Sequence, residues 1–484
     1  MKVLLINPDT GHAERIESQA AWPPLGLLYI GAVLQKAGHE VRVIDNGRIQ
    51  LPVEKVVERS KREDPGVVGV SALTPTFKQG VKTARAIKAE MPDVKIVFGN
   101  YHATFTYDRI LAKYPFVDYV VLGEGEFSFL ELVNTLEKNG DTKKVLGIAY
   151  RHDGDVAKAP PRPLVQNLDD LPTPDRSLLE QEYHSEIMGM LGSGGKFTTV
   201  LTSRGCPYSC RYCACAAFSH RAVRFRSPEA VVAEMEQLYG EGYGEVGFVD
   251  DNLLLNRQRM EKICDILKEK KIRLNLWAEG RVDQASREVM RKFAEVGCKI
   301  IYFGMESGNQ KVLDYYAKKI TPEMSRKAVR NSKEAGIENV VGSFIVGAPI
   351  ETEADIRQTF DFAMSLKGMD FPQMNPLCIS PGMDLWETAV REGHLDEEEQ
   401  WEEELVAVNI YPSKLTEEAL LDMIGNFYSK FVMRPPFLFS QLLKTLASDY
   451  RLKILVKNIK AGTSFRETIR QFTRFYGKPR NTLK

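Results

Sequence analysis

The chain has 484 residues, 43% hydrophobic and 27% charged, and its 65 Lys/Arg balance 65 Asp/Glu. This describes an ordinary globular protein of roughly two to four domains. It gives no charge-based reason to expect a nucleic-acid partner, and 7 Cys are too few for a disulfide scaffold. No apolar run reaches the roughly 18 residues of a membrane span. The N-terminus MKVLLINPDT lacks a long apolar core and a small-residue cleavage site, so a cytoplasmic protein is expected. The charge is uneven, however. Residues 431–484 hold 12 Lys/Arg against 2 Asp/Glu, leaving the rest at −10. A basic tail rich in Phe, Leu and Ile suits a solvated helical cap on an acidic body, or peripheral contact with an anionic membrane.

In chain order, residues 1–142 alternate strands with amphipathic helices. The strands are Lys2–Asn7, Glu40–Asp45, Val67–Ser71, Lys95–Phe98 and Val117–Leu122. The helices are Leu25–Ala37, Val53–Arg62, Lys78–Glu90 and Phe127–Asn139. The alternation predicts a doubly wound, Rossmann-like parallel sheet, with ligands at the carboxyl ends of its strands. Residues 143–192 form a linker with a short strand near Leu146–Tyr150 and a Pro-rich run, Ala159–Pro163. Residues 193–393 read as a second series of six strands: Thr198–Thr202, Glu245–Val249, Asn275–Ala278, Lys299–Phe303, Asn339–Val346 and Gln373–Ile379. Two helix starts, Ser227-Pro228-Glu229 and Thr321-Pro322-Glu323, each place an N-cap residue before proline. Six βα units predict a partial (β/α)6 TIM barrel. Residues 394–484 open on the acidic run Asp396–Glu404 and then read as helical.

The first barrel strand runs into Ser203-Arg204-Gly205-Cys206-Pro207-Tyr208-Ser209-Cys210-Arg211-Tyr212-Cys213, a C-x3-C-x2-C spacing. Three thiolates on one loop can hold three irons of a cubane and leave the fourth iron open. Structural zinc needs four ligands, and Cys215 or His220 could supply the fourth. A redox dithiol at Cys210 and Cys213 is a third reading. Ala214, not His, follows Cys213, which excludes a c-type haem. Spacing alone leaves these readings open. Cys264 and Cys298 read as core, and Cys378 as filler or cavity lining.

The C-x3-C-x-aromatic-C loop after a first barrel strand resembles the radical S-adenosylmethionine (SAM) superfamily. That resemblance implies a [4Fe–4S] cluster on Cys206, Cys210 and Cys213. It also implies SAM chelated to the open iron and cleaved by electron transfer to a 5′-deoxyadenosyl radical. An external donor of flavodoxin or ferredoxin type would supply the electron. By the same resemblance Tyr212 lies near the adenine, and Asp250 and Asp251 near the amino group of SAM. Arg281 is matched to its carboxylate, Glu306 to SAM or to orienting Arg281, and Gly347 to the adenine. Taken alone, Asp250 and Asp251 are equally charges at a helix N-terminus.

Residues 1–142 resemble the cobalamin-binding domain that precedes many radical SAM barrels. The matching pieces are Pro23–Leu27, Ser71-Ala72-Leu73-Thr74, Gly99-Asn100-Tyr101-His102 and Gly123-Glu124-Gly125-Glu126. Small residues after parallel strands admit a nucleotide tail. The resemblance implies cobalamin contacts at Ser71, Leu73, Thr74, Gly99, Tyr101, His102, Gly123, Glu124, Gly125 and Glu126. There is no D-x-H-x-x-G motif, His12 being at the wrong spacing, so no axial His is expected, and His102 is matched to the corrin amides or its own loop. The alternative is a flavodoxin-like module without cofactor, or with flavin or a nucleotide. The missing G-x-G-x-x-G and the acidic Gly123–Glu126 turn argue against the last.

Together the resemblances imply a cobalamin-dependent C-methyltransferase. They also admit the anaerobic magnesium-protoporphyrin monomethyl ester cyclase group, which performs oxidative cyclisation. A hydrophobic substrate, lipid or tetrapyrrole, is expected. A cobalamin or redox sensor is the non-enzymatic alternative.

Overall fold

A computed structural model describes residues 1–10, 22–187, 190–191, 195–411 and 415–460. His12 and residues 461–484 of the basic tail lie outside the described residues.

Five apolar runs form the parallel strands β1 (Lys2–Asn7), β2 (Glu40–Asp45), β3 (Val67–Ser71), β4 (Lys95–Gly99) and β5 (Tyr119–Val121). They pair in the order β2-β1-β3-β4-β5, which reverses direction between β1 and β3. In open α/β sheets such a switch point opens a ligand crevice at the strand carboxyl ends. The sheet continues through β6 (Ile148–His152) and β7 (Asp155–Lys158), both antiparallel. The linker strand expected near Leu146–Tyr150 is thus the sixth strand of this sheet. Sequence reasoning missed β7, although Asp153-Gly154 signals a tight hairpin. Their φ values of +52° and +91° are the left-handed pair such a turn needs.

The second sheet is six parallel strands: β8 (Lys196–Val200), β9 (Tyr243–Phe248), β10 (Asn275–Arg281), β11 (Cys298–Glu306), β12 (Asn339–Val346) and β13 (Phe371–Pro376). Each pairs with its successor, giving an open partial barrel as expected. The sixth strand ends earlier than expected. Cys378–Ile379 instead pairs antiparallel with Leu405–Val406. Cys378 packs partly buried against the barrel core, and Cys264 and Cys298 are buried in it.

The region after the barrel closes it. Tyr450 and Ile454, on the helix Asp449–Lys460, pack on Trp277, Ile300 and Val341 of the barrel strands. The acidic run docks on the first domain: Arg109 meets Glu397 and Glu398, Lys113 meets Glu402 at 2.7 Å, and Lys78 meets Glu403. Asp370, fully buried before β13, receives Lys333, Lys444 and Arg451 as ion pairs and the Val340 N–H at 2.9 Å. Burial alone would raise its carboxyl, but the three cations hold it down at about 2. Two basic residues of the C-terminal region, Lys444 and Arg451, are therefore spent internally.

A folded pKa below the unfolded value of about 3.9 gives stability that is present above pH ~4 and lost as pH falls toward 2. Asp370→Asn is expected to cost on the order of 2 kcal/mol at neutral pH. Urea titrations should show that deficit shrinking to nothing near pH 2. A constant deficit across the range would contradict the role.

Candidate active site and cofactor cradles

The cysteine loop is held before any cofactor arrives. Thr202 and Ser203, which follow β8, both bond Asp250 at the end of β9. Asp250 accepts from Thr202 N–H at 3.1 Å, Thr202 Oγ1 at 2.6 Å and Ser203 Oγ at 2.6 Å. Arg259 reaches across with bonds to the Thr202 carbonyl (2.8 Å) and the Arg226 carbonyl (2.7 Å), which joins the two arms of a small hairpin. In that hairpin Ser203–Arg204 pairs with Arg224–Phe225, one before and one after the cysteines. Gly205 then turns with φ +88°, and a Cβ there would overlap the Ala222 carbonyl oxygen. Its N–H donates to Asp251 at 2.7 Å. Only glycine satisfies both demands.

Cys206 and Cys210 are half-buried and Cys213 is exposed, all as free thiols. Burial pushes the Cys206 and Cys210 thiols up, and Asn252 Nδ2 lies 3.8 Å from Cys206 Sγ. Cys215 hydrogen-bonds Cys213, which lowers the Cys213 thiol to about 7 and raises its own. Among the described residues no three His, Cys, Asp or Glu side chains converge on a position for one metal ion. The donor set, three thiols on one backbone-fixed loop, fits a multi-iron cluster with one thiolate per iron.

Beside the loop a cavity of about 370 Å³ opens at the carboxyl ends of β9 to β13. Arg281 lines it. Its guanidinium lies 3.7 Å from the Tyr208 ring centroid and bonds Asp283 (3.1 Å) and the Lys318 carbonyl (2.8 Å). Glu306 does not orient Arg281 as one expectation had it. It sits in the left-handed region (φ +59°), and its Oε1 accepts from Lys318 Nζ at 2.6 Å and Tyr212 OH at 2.9 Å. The Tyr212 hydroxyl is thereby tied inward while its ring meets Tyr316 edge-on. Asp250 and Asp251 are not helix N-terminal charges, because the next helix starts at Arg257 and is capped by Asn256. Gly347 is buried away from the cavity. A Cβ there would lie 2.6 Å from Leu420, on the helix Glu417–Val432 that packs over it, so this face is not open to adenine.

Sequence reasoning missed Lys318 and Glu279. A buried Lys demands a carboxylate, but the Glu306 pairing crosses a helix and two turns and leaves no pattern. Glu279 was findable. It stands two residues before Arg281 on the same strand face and lines the cavity, where it is open to solvent and the surrounding protein pushes its carboxyl up.

At the carboxyl ends of the first sheet, Ser71 Oγ accepts from Asn100 Nδ2 at 2.9 Å, and Leu73 is 42% exposed. A Cβ at Gly123 would meet nothing within 4 Å, and one at Gly99 only Val121. These glycines leave the open cradle a cofactor tail requires. Thr74 begins the helix Thr74–Glu90, and its hydroxyl lies 3.1 Å from His102 Nδ1. His102 is 1% exposed, packed against Phe77 and Trp401, which also touch each other, and its pKa is lowered to about 3 by burial. Its ring meets Thr74 and its carbonyl accepts from Thr106 Oγ1 at 2.7 Å, so it ties its own loop together. Tyr101 stacks on Phe218 at 4.0 Å, just after the cysteine loop. Gly125 packs on Ile30. Glu124 and Glu126 face Arg204 and Arg224 of the cysteine hairpin. The acidity of the turn is therefore neutralised, and charge repulsion is no argument against a phosphate.

A switch-point parallel domain set before a six-stranded barrel with this cysteine loop defines a radical SAM enzyme with a cobalamin module. Residues 200–363 match the radical SAM superfamily and residues 12–133 the B12 binding domain. An uncharacterized methyltransferase of Pyrococcus horikoshii is 33% identical over 92% of this chain and 95% of its own. The anaerobic magnesium-protoporphyrin IX monomethyl ester cyclase of Rubrivivax gelatinosus is 29% identical over 90% and 78%. The solved cobalamin-dependent SAM radical enzyme OxsB shares the fold, with a TM-score of 0.70 and 16% identity, over 98% of this chain and 75% of that one. The chain belongs to the cobalamin-binding branch of the radical SAM superfamily. It is an enzyme whose cofactors are a [4Fe–4S] cluster, SAM and cobalamin.

Cys210→Ala should abolish near-ultraviolet-to-visible absorbance after anaerobic reconstitution. Gly205→Ala, with every thiol intact, should retain less than about a third of wild-type iron, because strain at φ > 0 and the Ala222 clash displace Cys206. Full iron content in Gly205→Ala would show that the turn does not shape the site.

Proposed function

We propose that the enzyme transfers a methyl group to an unactivated carbon of a hydrophobic substrate. The observation carrying this reading is the placement of the cysteine loop between two cradles, the barrel cavity and the first sheet's groove. When bound, the cluster and SAM supply a hydrogen-abstracting radical and the cobalamin a methyl carrier. The chain's own residues bind and position. Arg281, held flat by Tyr208 and by the Lys318 carbonyl, offers a guanidinium to the carboxylate of SAM. Glu279 offers a carboxyl to a hydrogen-bond donor. Asp250 and Asp251 keep the loop in shape, and Cys206, Cys210 and Cys213 take the cluster. Ser71, Leu73, Gly99 and Gly123 frame the cobalamin cradle, and Tyr101 bridges it to the barrel. Oxidative cyclisation is the second reading, supported by a relative named a cyclase.

With SAM, a flavodoxin-type reductant and substrate, methyl transfer predicts S-adenosylhomocysteine alongside 5′-deoxyadenosine. Formation of 5′-deoxyadenosine alone would favour cyclisation, and neither product would sink both readings. Arg281→Gln should weaken SAM binding about 10- to 100-fold while leaving cluster absorbance unchanged. Unchanged SAM binding would remove Arg281 from the site.

The C-terminal helices carry an exposed apolar face that suits a protein acting on a membrane-borne substrate. Phe439, Leu442, Leu443 and Leu446, on the helix Pro435–Leu446, are each more than half exposed, and the surrounding segment is basic. Among the described residues no helix is long and apolar enough to cross a membrane. This face suits lying on an anionic bilayer at the cytoplasmic side. The protein should float with vesicles containing anionic phosphatidylglycerol, and Phe439→Glu/Leu442→Glu should stay at the bottom of the gradient. Equal flotation of both would discard membrane contact.

A further inference from the structure

Four charged side chains meet where the cobalamin domain touches the cysteine loop. Arg204, two residues before Cys206, pairs with Glu126 and, at 3.5 Å, with Glu124. Arg224, its cross-strand partner, takes Glu124 bidentately at 2.7 and 2.8 Å and the Val165 carbonyl at 3.0 Å. All four side chains are 13% exposed or less. Removing one leaves a buried opposite charge short of a partner, a larger penalty than losing a surface pair.

The positions on either side give this cluster meaning. Glu124 and Glu126 flank Gly125 in the turn that follows β5, beside the open position at Gly123 (φ +69°). Arg204 adjoins Gly205, which turns in the left-handed region (φ +88°) and whose N–H is held by Asp251 at 2.7 Å. A rotation of the Gly123–Glu126 turn therefore pulls, through these ion pairs, on both arms of the hairpin that leads into Cys206. The Tyr101–Phe218 stack joins the same two loops a second time.

We propose that the Arg204/Arg224–Glu124/Glu126 cluster couples the two cofactor sites, so that cobalamin seated in the first domain holds the cysteine loop in its cluster-binding shape, and the assembled cluster tightens cobalamin binding. The four are positioning residues acting through the loops they join. Coupling of this kind is reciprocal and is typically 5- to 150-fold. The inference rests on the cofactor set and not on methyl transfer.

The test uses the full chain with reconstituted cluster, and follows anaerobic iron release to bathophenanthroline disulfonate with and without hydroxocobalamin. In the wild type, hydroxocobalamin should slow release about tenfold. Protein without cluster should bind hydroxocobalamin about tenfold more weakly than protein with it. In Glu124→Gln/Glu126→Gln both ratios should fall toward one. Arg109→Gln, which breaks a different pairing between the first domain and the acidic run, should keep them near ten. If the double variant does not fold, Arg224→Lys, which keeps the charge but loses the bidentate fork, should reduce both ratios at least threefold. A wild-type ratio of one, a ratio unchanged in the Glu or Arg224 variants, or an equal loss in Arg109→Gln would overturn the proposal.

Discussion

Asp250 accepts three hydrogen bonds from the two residues that leave the first barrel strand, and the placement of the cysteines follows from that fact. A loop that must present three thiols to one cluster cannot wander. Its entry is fixed by Asp250, its turn by the positive φ of Gly205, and its two arms by Arg259. Fully buried, Asp250 is pushed up by desolvation and held by Ser203 and Thr202. The carboxylate thus organises the backbone of the loop while it also lines the barrel cavity. Cofactor binding then meets a preorganised site, and less ordering is charged against affinity.

The same logic extends outward. The buried guanidiniums of Arg204, Arg224, Arg226 and Arg259 surround the hairpin. Each is matched by a carboxylate or carbonyls, with Glu234 serving Arg226. A planar donor fork can satisfy several acceptors at once, which suits a loop whose carbonyls would otherwise be stranded. Farther away, Asp370 pins the C-terminal helices, and Tyr450 and Ile454 close an open barrel that would otherwise expose Trp277. The C-terminal region is part of the barrel's core as well as its cover.

The fold class was legible because it depends on local pattern. Apolar runs of four to eight residues between amphipathic stretches fix strand and helix, and the Ser227 and Thr321 caps mark helix starts. The cysteine loop was legible because spacing carries its chemistry. What the sequence hid were pairings across long separations: Glu124 with Arg224, Glu306 with Lys318, Asp370 with Arg451. An acidic turn looks alike whether it faces solvent, a cofactor or a guanidinium, so Glu124 and Glu126 read as groove residues and prove to be the contact between domains. The cover over one side of Gly347 was hidden for the same reason, since the helix that supplies Leu420 lies about seventy residues downstream. His102 is the converse case. Its Phe77 neighbour was in plain view, but the Trp401 that completes its pocket was not.

Anomalous diffraction at the iron and cobalt edges from anaerobically reconstituted crystals tests the central claim most directly. The account predicts iron peaks bonded to Cys206, Cys210 and Cys213, and a cobalt peak at the carboxyl ends of β1, β3 and β4, facing the cysteine loop, with no His side chain on the metal. A single metal ion shared with Cys215 or His220, or cobalt bound away from that groove, would contradict it.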